Sequence, residues 1–226
     1  MNFLHVAPHG AYYSVRELKK LGARIEGEGV IVERTAKIAC GVLLSGPCIV
    51  SGKTEIGAGA AVLPFSHIKD SALGAGAVVR ASTIESSFVG ANSSVGPYAF
   101  LRGGARVGEN CRVGDFVEIK NSSLGAGSKA AHHAYIGDAA VGKDVNIGCG
   151  VVFANYDGKV KSETVVEDGC FIGCNCNIVA PVRIGRGAYV AAGTTLTCDL
   201  APLGFCVGRV HEKMIPLGAE GRYKNG

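Results

Sequence analysis

The chain has no tryptophan, and aromatic residues make up only 7% of its 226 positions. Methionine is down to two and proline to seven. A core filled by large rings is thereby excluded, and any interior must be built from smaller aliphatic side chains. No run of about 18 apolar residues is present either, so no membrane-spanning helix is expected. The start, MNFLHVAPHG, lacks the charged segment, long apolar stretch and small-residue cleavage site of a secretory signal. Those absences make the cytoplasm the expected compartment. A net charge of +4 without any basic block argues against nucleic-acid binding. Small anionic ligands remain open.

What is abundant is glycine, at 34 residues, and cysteine, at nine. The cysteines (40, 48, 111, 149, 170, 174, 176, 198 and 206) are odd in number and lack CxxC spacing. In a reducing compartment most are expected to be small buried hydrophobes. Cys174 and Cys176 come nearest to a metal pair, but one intervening residue and no companion histidine argue against zinc, and no metal is expected.

A six-residue beat runs through the sequence. Steps of six from Val32 meet Ile38, Leu44, Val50, Ile56, Val62 and Ile68, and two further strict runs extend from Val89 to Ile119 and from Val166 to Leu196. Occasional five-residue steps join them, through Leu73, Val79 and Ile84 and through Leu124, Ala130, Ile136, Val141, Ile147 and Phe153. Six is neither the helical nor the simple strand period. It fits a solenoid of short parallel strands in which each repeat forms one side of a triangular prism, one aliphatic side chain pointing inward per side. Glycine follows at the turns, and a small residue four places on (Ala105, Ser123, Ala134, Ala188, Thr194) completes the interior. Each coil then takes about 18 residues and rises roughly 4.8 Å, which gives about nine coils.

Three stretches leave the beat. Residues 1–30 form an expected N-terminal cap, in which VRELKKLGARI reads as a short amphipathic helix over the open end. Residues 31–200 form the solenoid, with a projecting loop at about 154–165 (ANYDGKVKSETV), the kind of excursion that carries function. Residues 201–226 read as an irregular tail.

Arg102 and Lys120 stand 18 residues apart, one full coil, so their side chains should stack on one outer face. Like charges about 5 Å apart repel by roughly 1 kcal/mol even in watery surroundings, so something anionic should bridge them. Two separately solvated cations are the alternative. His132 and His133 fall in the next coil on another side of the prism. A groove between parallel prisms of a homotrimer would bring a histidine to the cations.

The motifs VGDFVEIKNSSLGAGSKAAHHAYIGDAAVGKDVNIGCG, ANYDGKVKSETVVEDGCFIGCN and IVAPVRIGRGAYVAAGTTLTCDL, in that order, carry a family likeness. From about residue 30 to residue 210 the chain resembles the acetyltransferase half of the bacterial bifunctional N-acetylglucosamine-1-phosphate uridyltransferase/glucosamine-1-phosphate acetyltransferases. The resemblance implies an all-β, left-handed parallel β-helix, whereas the usual crossover rule alone gives the opposite hand. It implies a CoA-dependent N-acetyltransferase, with acetyl-CoA as co-substrate and glucosamine 1-phosphate as the leading acceptor. In it His132 matches the catalytic base. Arg102, Lys120, Tyr135, Asn146 and Lys161 match the amino-sugar phosphate site. Cys149, Asn155, Tyr156, Cys174, Ala192 and Arg209 match positions that hold the coenzyme.

The chain departs from the pattern with Cys149 for alanine, Cys174 for serine, Ala131 for glycine, His133 for an aliphatic residue, Asn121 for a lysine and Phe100 for an arginine. Nothing in residues 1–30 resembles the glycine-rich nucleotide loop of the uridyltransferase half, so acetyl transfer without uridyl transfer is expected. An acetyltransferase for another, nucleotide-linked amino sugar and a non-catalytic sugar-phosphate-binding or scaffolding trimer are the alternatives.

Overall fold

The computed structural model describes residues 11–210 and Met214. The remainder of the expected cap and tail lies outside the described residues. The chain winds through three parallel sheets in turn. Face one has 11 strands, from Arg24–Glu26 to Phe205–Cys206; face two has 10, from Val30–Val32 to Thr195–Leu196; face three has nine, from Lys37–Ile38 to Val182–Ile184. The result is a left-handed parallel β-helix of about ten turns. That is one more than the aliphatic beat implies, because Arg24–Glu26 pairs with Leu43–Ser45 at one end and Phe205–Cys206 pairs with Tyr189–Val190 at the other. The segment read as irregular tail therefore begins with a strand.

The aliphatic beat is the core: every residue of the three runs and their joins is buried except Ile38, which is partly so. Burying each such side chain contributes roughly 1.5–3 kcal/mol relative to exposure, which is why short strands of two to four residues hold.

The five-residue steps show how the beat shortens. In each, the second residue after the inward aliphatic takes a positive φ: Asp70 (47°), Ala81 (41°), Ser86 (45°), Asn121 (47°) and Asp138 (47°). The next residue, Ser71, Ser82, Ser87, Ser122 or Ala139, is the one buried. The serines satisfy themselves there. Ser122 Oγ donates to the Lys120 carbonyl and accepts from the Ala139 N–H one coil on, and Ser71, Ser82 and Ser87 likewise donate two residues back. Small interior residues at Ala105, Ala134, Ala188 and Thr194 are buried as expected. Ser123 is not, because the short step from Ile119 to Leu124 moves the interior position to Ser122.

A helix, Val15–Lys20, packs buried Leu18 against the first coil. Ser14 caps it with Glu17 in a reciprocal box, and Glu17 also receives Arg34 at 2.6 Å. The projecting excursion is confined to residues 155–163, since Val152–Ala154 and Thr164–Val166 are strands. An isolated Tyr156–Lys161 bridge closes it. No helix among the described residues is long and apolar enough to cross a membrane.

Candidate functional site

Apart from Asn146, the residues singled out from the sequence fall on two edges of the prism and on face two between them. The first corner joins face one to face two. Its register pairs Asp115 with His132 directly, and Ala130 with Ile147, Ile147 with Ile172 and Ile172 with Val190. Two residues beyond those pairs stand Cys149, Cys174 and Ala192. Asp115, His132, Cys149, Cys174 and Ala192 thus form one column across five coils, each just before a corner residue of positive φ (Phe116, His133, Gly150, Asn175, Gly193).

Asp115 is the residue that sequence reasoning missed. Its Oδ1 lies 2.8 Å from His132 Nδ1, and that imidazole contact holds its carboxyl below the usual carboxylate range. The other ring nitrogen, Nε2, is left for solvent or a ligand, because the His132 side chain is 58% exposed. Counting the five-residue step between Ile119 and Leu124 would have exposed the pair. His133 differs: at φ 35° it turns the corner and lines a hollow of about 290 Å³ with Phe116, Glu118 and Tyr135.

At the far end of the column the Arg209 guanidinium donates to the Ala192 carbonyl at 2.8 Å. Cys149, Cys174 and Ala192 present small exposed side chains along it. Such a ledge, ending in a cation, fits a long, thin, partly anionic ligand. Most cysteines were expected inside, yet only Cys48, Cys111, Cys170 and Cys176 are buried. Burial pushes the Cys48 thiol up to about 11 and raises the other three. Cys40, Cys149, Cys174 and Cys198 are exposed because they stand at or beside corners, where side chains leave the prism. Cys174 outside and Cys176 inside cannot share a metal.

On face two the expected stacking of Arg102 on Lys120 is present in the register. The anion beside Arg102 is internal: Glu118 Oε1 accepts from Nε at 2.8 Å and from NH2 at 2.6 Å. Arg102 also lies over the Phe100 ring, 5.4 Å from its centroid. Lys120 pairs with Gly137, and a Cβ on Gly137 would collide with the Tyr135 ring and hydroxyl. The absent methyl is what lets the phenol lie over Gly137, the register neighbour of Lys120. Asn146 stands apart, on the outer side of face one between Lys129 and Phe171.

The second corner joins face two to face three. Asp138 accepts from Asn121 Nδ2 at 2.6 Å and from Asn155 Nδ2. The Asn121 amide, with Asn155 and the nearby charges of Lys161 and Lys120, keeps the Asp138 carboxyl below its ordinary range. Asn155 is thus buried and tethered, while Tyr156 is 58% exposed on the excursion. Asn155 and Tyr156 lie on a different edge from Cys149, Cys174, Ala192 and Arg209. Within one prism the expected coenzyme residues are not brought together.

The family described as bacterial transferase hexapeptide (six repeats) is matched at residues 86–121 and again at 163–198. The chain is 50% identical over 161 residues to the bifunctional protein GlmU of Exiguobacterium sp. strain AT1b, covering 71% of this chain and 36% of that protein. It is 45% identical over 185 residues to GlmU of Clostridioides difficile, covering 82% and 40%. The chain thus spans well under half the length of the curated relatives it matches. Among solved structures, the UDP-N-acetylglucosamine acyltransferase of Arabidopsis aligns with a TM-score of 0.56 at 20% identity over 81% of this chain and 69% of its own. That of Francisella novicida aligns at 0.52 and 14%, over 80% and 67%. These two share the fold. Repeats, register and sequence identity together establish that the chain belongs to the bacterial hexapeptide-repeat transferases, with GlmU proteins among its relatives.

Proposed function

We propose that the chain is an N-acetyltransferase that moves acetyl from acetyl-CoA to the amine of an amino-sugar phosphate, with glucosamine 1-phosphate the leading acceptor. The observation that carries the reading is the Asp115–His132 pair: an exposed imidazole tethered at Nδ1 with Nε2 free. A protonated amine has no lone pair to attack with. His132 Nε2 takes a proton from the acceptor's amine, which then attacks the thioester carbon, and the thiol side departs as CoA. Asp115 fixes the ring and steadies the imidazolium. Positioned acid–base help of this kind contributes a factor of about 100 to 10,000.

Lys120 and Lys161, with Arg102 and the Tyr135 hydroxyl, would hold the acceptor's phosphate, and Asn146 a sugar hydroxyl. The ledge of Cys149, Cys174 and Ala192, ending at Arg209, would carry the coenzyme, completed by Asn155 and Tyr156 of a neighbouring chain. This division of residues between edges supports a homotrimer, in which the first corner of one prism faces face two of the next. Nine free cysteines support a reducing compartment, the cytoplasm.

The test is a panel of amines, phosphorylated and not, incubated with acetyl-CoA and purified protein. The acetylated product is followed by mass spectrometry, because the exposed cysteines would react with a thiol reagent. Transfer to glucosamine 1-phosphate alone supports the reading. Because Glu118 already neutralises Arg102, transfer to an unphosphorylated or nucleotide-linked amine is the outcome that would replace the acceptor, and transfer to none would leave a binding or scaffolding trimer.

A further inference from the structure

Cys149 and Cys174 are both exposed and occupy the same column one coil apart, with His132 on the other side of Cys149. Their backbones touch. The Asn175 N–H donates to the Cys149 carbonyl at 2.8 Å, and a Cβ placed on Gly148 would lie 2.6 Å from the Cys174 nitrogen. In-register neighbours in a sheet lie about 4.8 Å apart, within the Cα separations of roughly 4.4–6.8 Å that a disulfide spans. The other two exposed thiols have no such partner. By register Cys40 faces Ala58 and Cys198 faces Ala180. The buried thiols, raised by desolvation, are poor nucleophiles.

From this arrangement we propose that Cys149 and Cys174 form a reversible disulfide across adjacent coils, a thiol-redox site that blocks the coenzyme ledge when oxidised. The blocking role, though not the bond, rests on the acetyltransferase reading. A low-molecular-weight disulfide supplies the oxidising equivalents. His132, one coil below, is the base at hand for the Cys149 proton. The Cys149 thiolate attacks one sulfur of the reagent, whose S–S bond breaks and releases one thiolate, leaving a mixed disulfide. The Cys174 thiolate then attacks the Cys149 sulfur, forming the inter-coil bond and expelling the second thiolate. Two cysteine thiols are oxidised and one disulfide is reduced to two thiols, so protons and electrons balance. The bond would span the ledge beside the base, where the thioester must lie.

Oxidised glutathione is the probe. The reduced full chain is incubated with it, remaining thiols are alkylated, and the digest is mapped by mass spectrometry. The expected product is a peptide pair linked through Cys149 and Cys174, two hydrogens lighter than the reduced sum, with fragment ions excluding Cys170 and Cys176. Cys40 and Cys198 should carry only single glutathione adducts. Cys174→Ser should trap glutathione on Cys149, and Cys149→Ser should give no link. In calorimetry with acetyl-CoA, which has no free thiol to reduce the bond, oxidised protein should bind about tenfold or more weaker and recover with dithiothreitol. The double variant Cys149→Ser/Cys174→Ser, whatever its own affinity, should show the same affinity before and after oxidant, since it leaves no thiol on the ledge. Glutathione on Cys40 and Cys198 without the 149–174 link overturns the bond, and a link that leaves affinity unchanged overturns the block. Reduced protein that binds no acetyl-CoA overturns the acetyltransferase reading and the block with it, while the linked peptide still decides the bond.

Discussion

The two edges of face two are built from the same backbone device and used in opposite ways. At both, a residue of positive φ turns the chain and the next side chain is buried. At the second corner the outward side chains tie to each other: Asn121 and Asn155, on flanking coils, both donate to Asp138 between them. At the first corner Tyr98 and Phe116 stack, but Asp115 and His132 make the one hydrogen-bonded pair of their column, and Cys149, Cys174 and Ala192 continue that column as small exposed side chains. A solenoid repeats its geometry indefinitely, so which edge is structural and which reactive depends on where donors and acceptors cancel and where one is left over. At the second corner the carboxylate is fully engaged. At the first, an imidazole nitrogen remains.

The comparison predicts its sharpest break at the leftover group. His132→Ala should lower acetyl transfer by about 100- to 10,000-fold, measured as kcat for acetylated product, with thermal stability and oligomeric state unchanged. A residual rate within a factor of two of the parent would remove the proposed base. Asp115→Ala should cost less, on the order of tenfold in kcat, the weight of one charge-assisted contact to an exposed ring. It should act on kcat with KM for the acceptor near the parent value, a split that a general loosening of the corner would not give. Gly137→Ala should come third. By displacing the Tyr135 phenol from over Gly137, the register neighbour of Lys120, it should raise KM for a phosphorylated acceptor about three- to tenfold while kcat stays near the parent value, and an equal change for an unphosphorylated amine would separate Tyr135 from phosphate binding.

Much of this was legible in the sequence because a prism leaves one inward position per side. The run from Val32 to Leu196 named the core, and the 18-residue gap from Arg102 to Lys120 gave their stacking. Five-residue steps hid the rest. Asn121, Asp138 and Asn155 are spaced by 17, as are Asp115 and His132, and a strict 18-residue coil sets each pair out of line. The same shortening moved the interior serine from 123 to 122. Exposure of Cys149 and Cys174 followed from corners, which aliphatic periodicity does not mark. The Glu118 partner of Arg102 lay two residues from Lys120, but nothing in spacing says that the guanidinium folds back across the strand toward it.

The smallest expected effect tests the tied edge. Asn121 above all, and then Asn155, favour the ionised form of Asp138, so its folded pKa lies below the ordinary 3.8. A carboxylate depressed in this way stabilises its surroundings fully above the ordinary value and loses that contribution as pH falls through the lower, folded value. The tether on residues 155–163 should therefore be intact at neutral pH and loosen only in acid below the ordinary carboxylate range. Hydrogen exchange across the excursion, measured at stepped low pH, should show protection of the Ser162 N–H, which donates to the Asn155 carbonyl, lost before that of the inward strands on either side. Asn121→Ala removes the largest contribution and should move that loss to higher pH, toward 3.8, without changing protection at pH 7. If instead the onset stays put in the variant, the Asn121 amide is not what holds the carboxylate, and the contrast between a satisfied and an unsatisfied corner loses its second member.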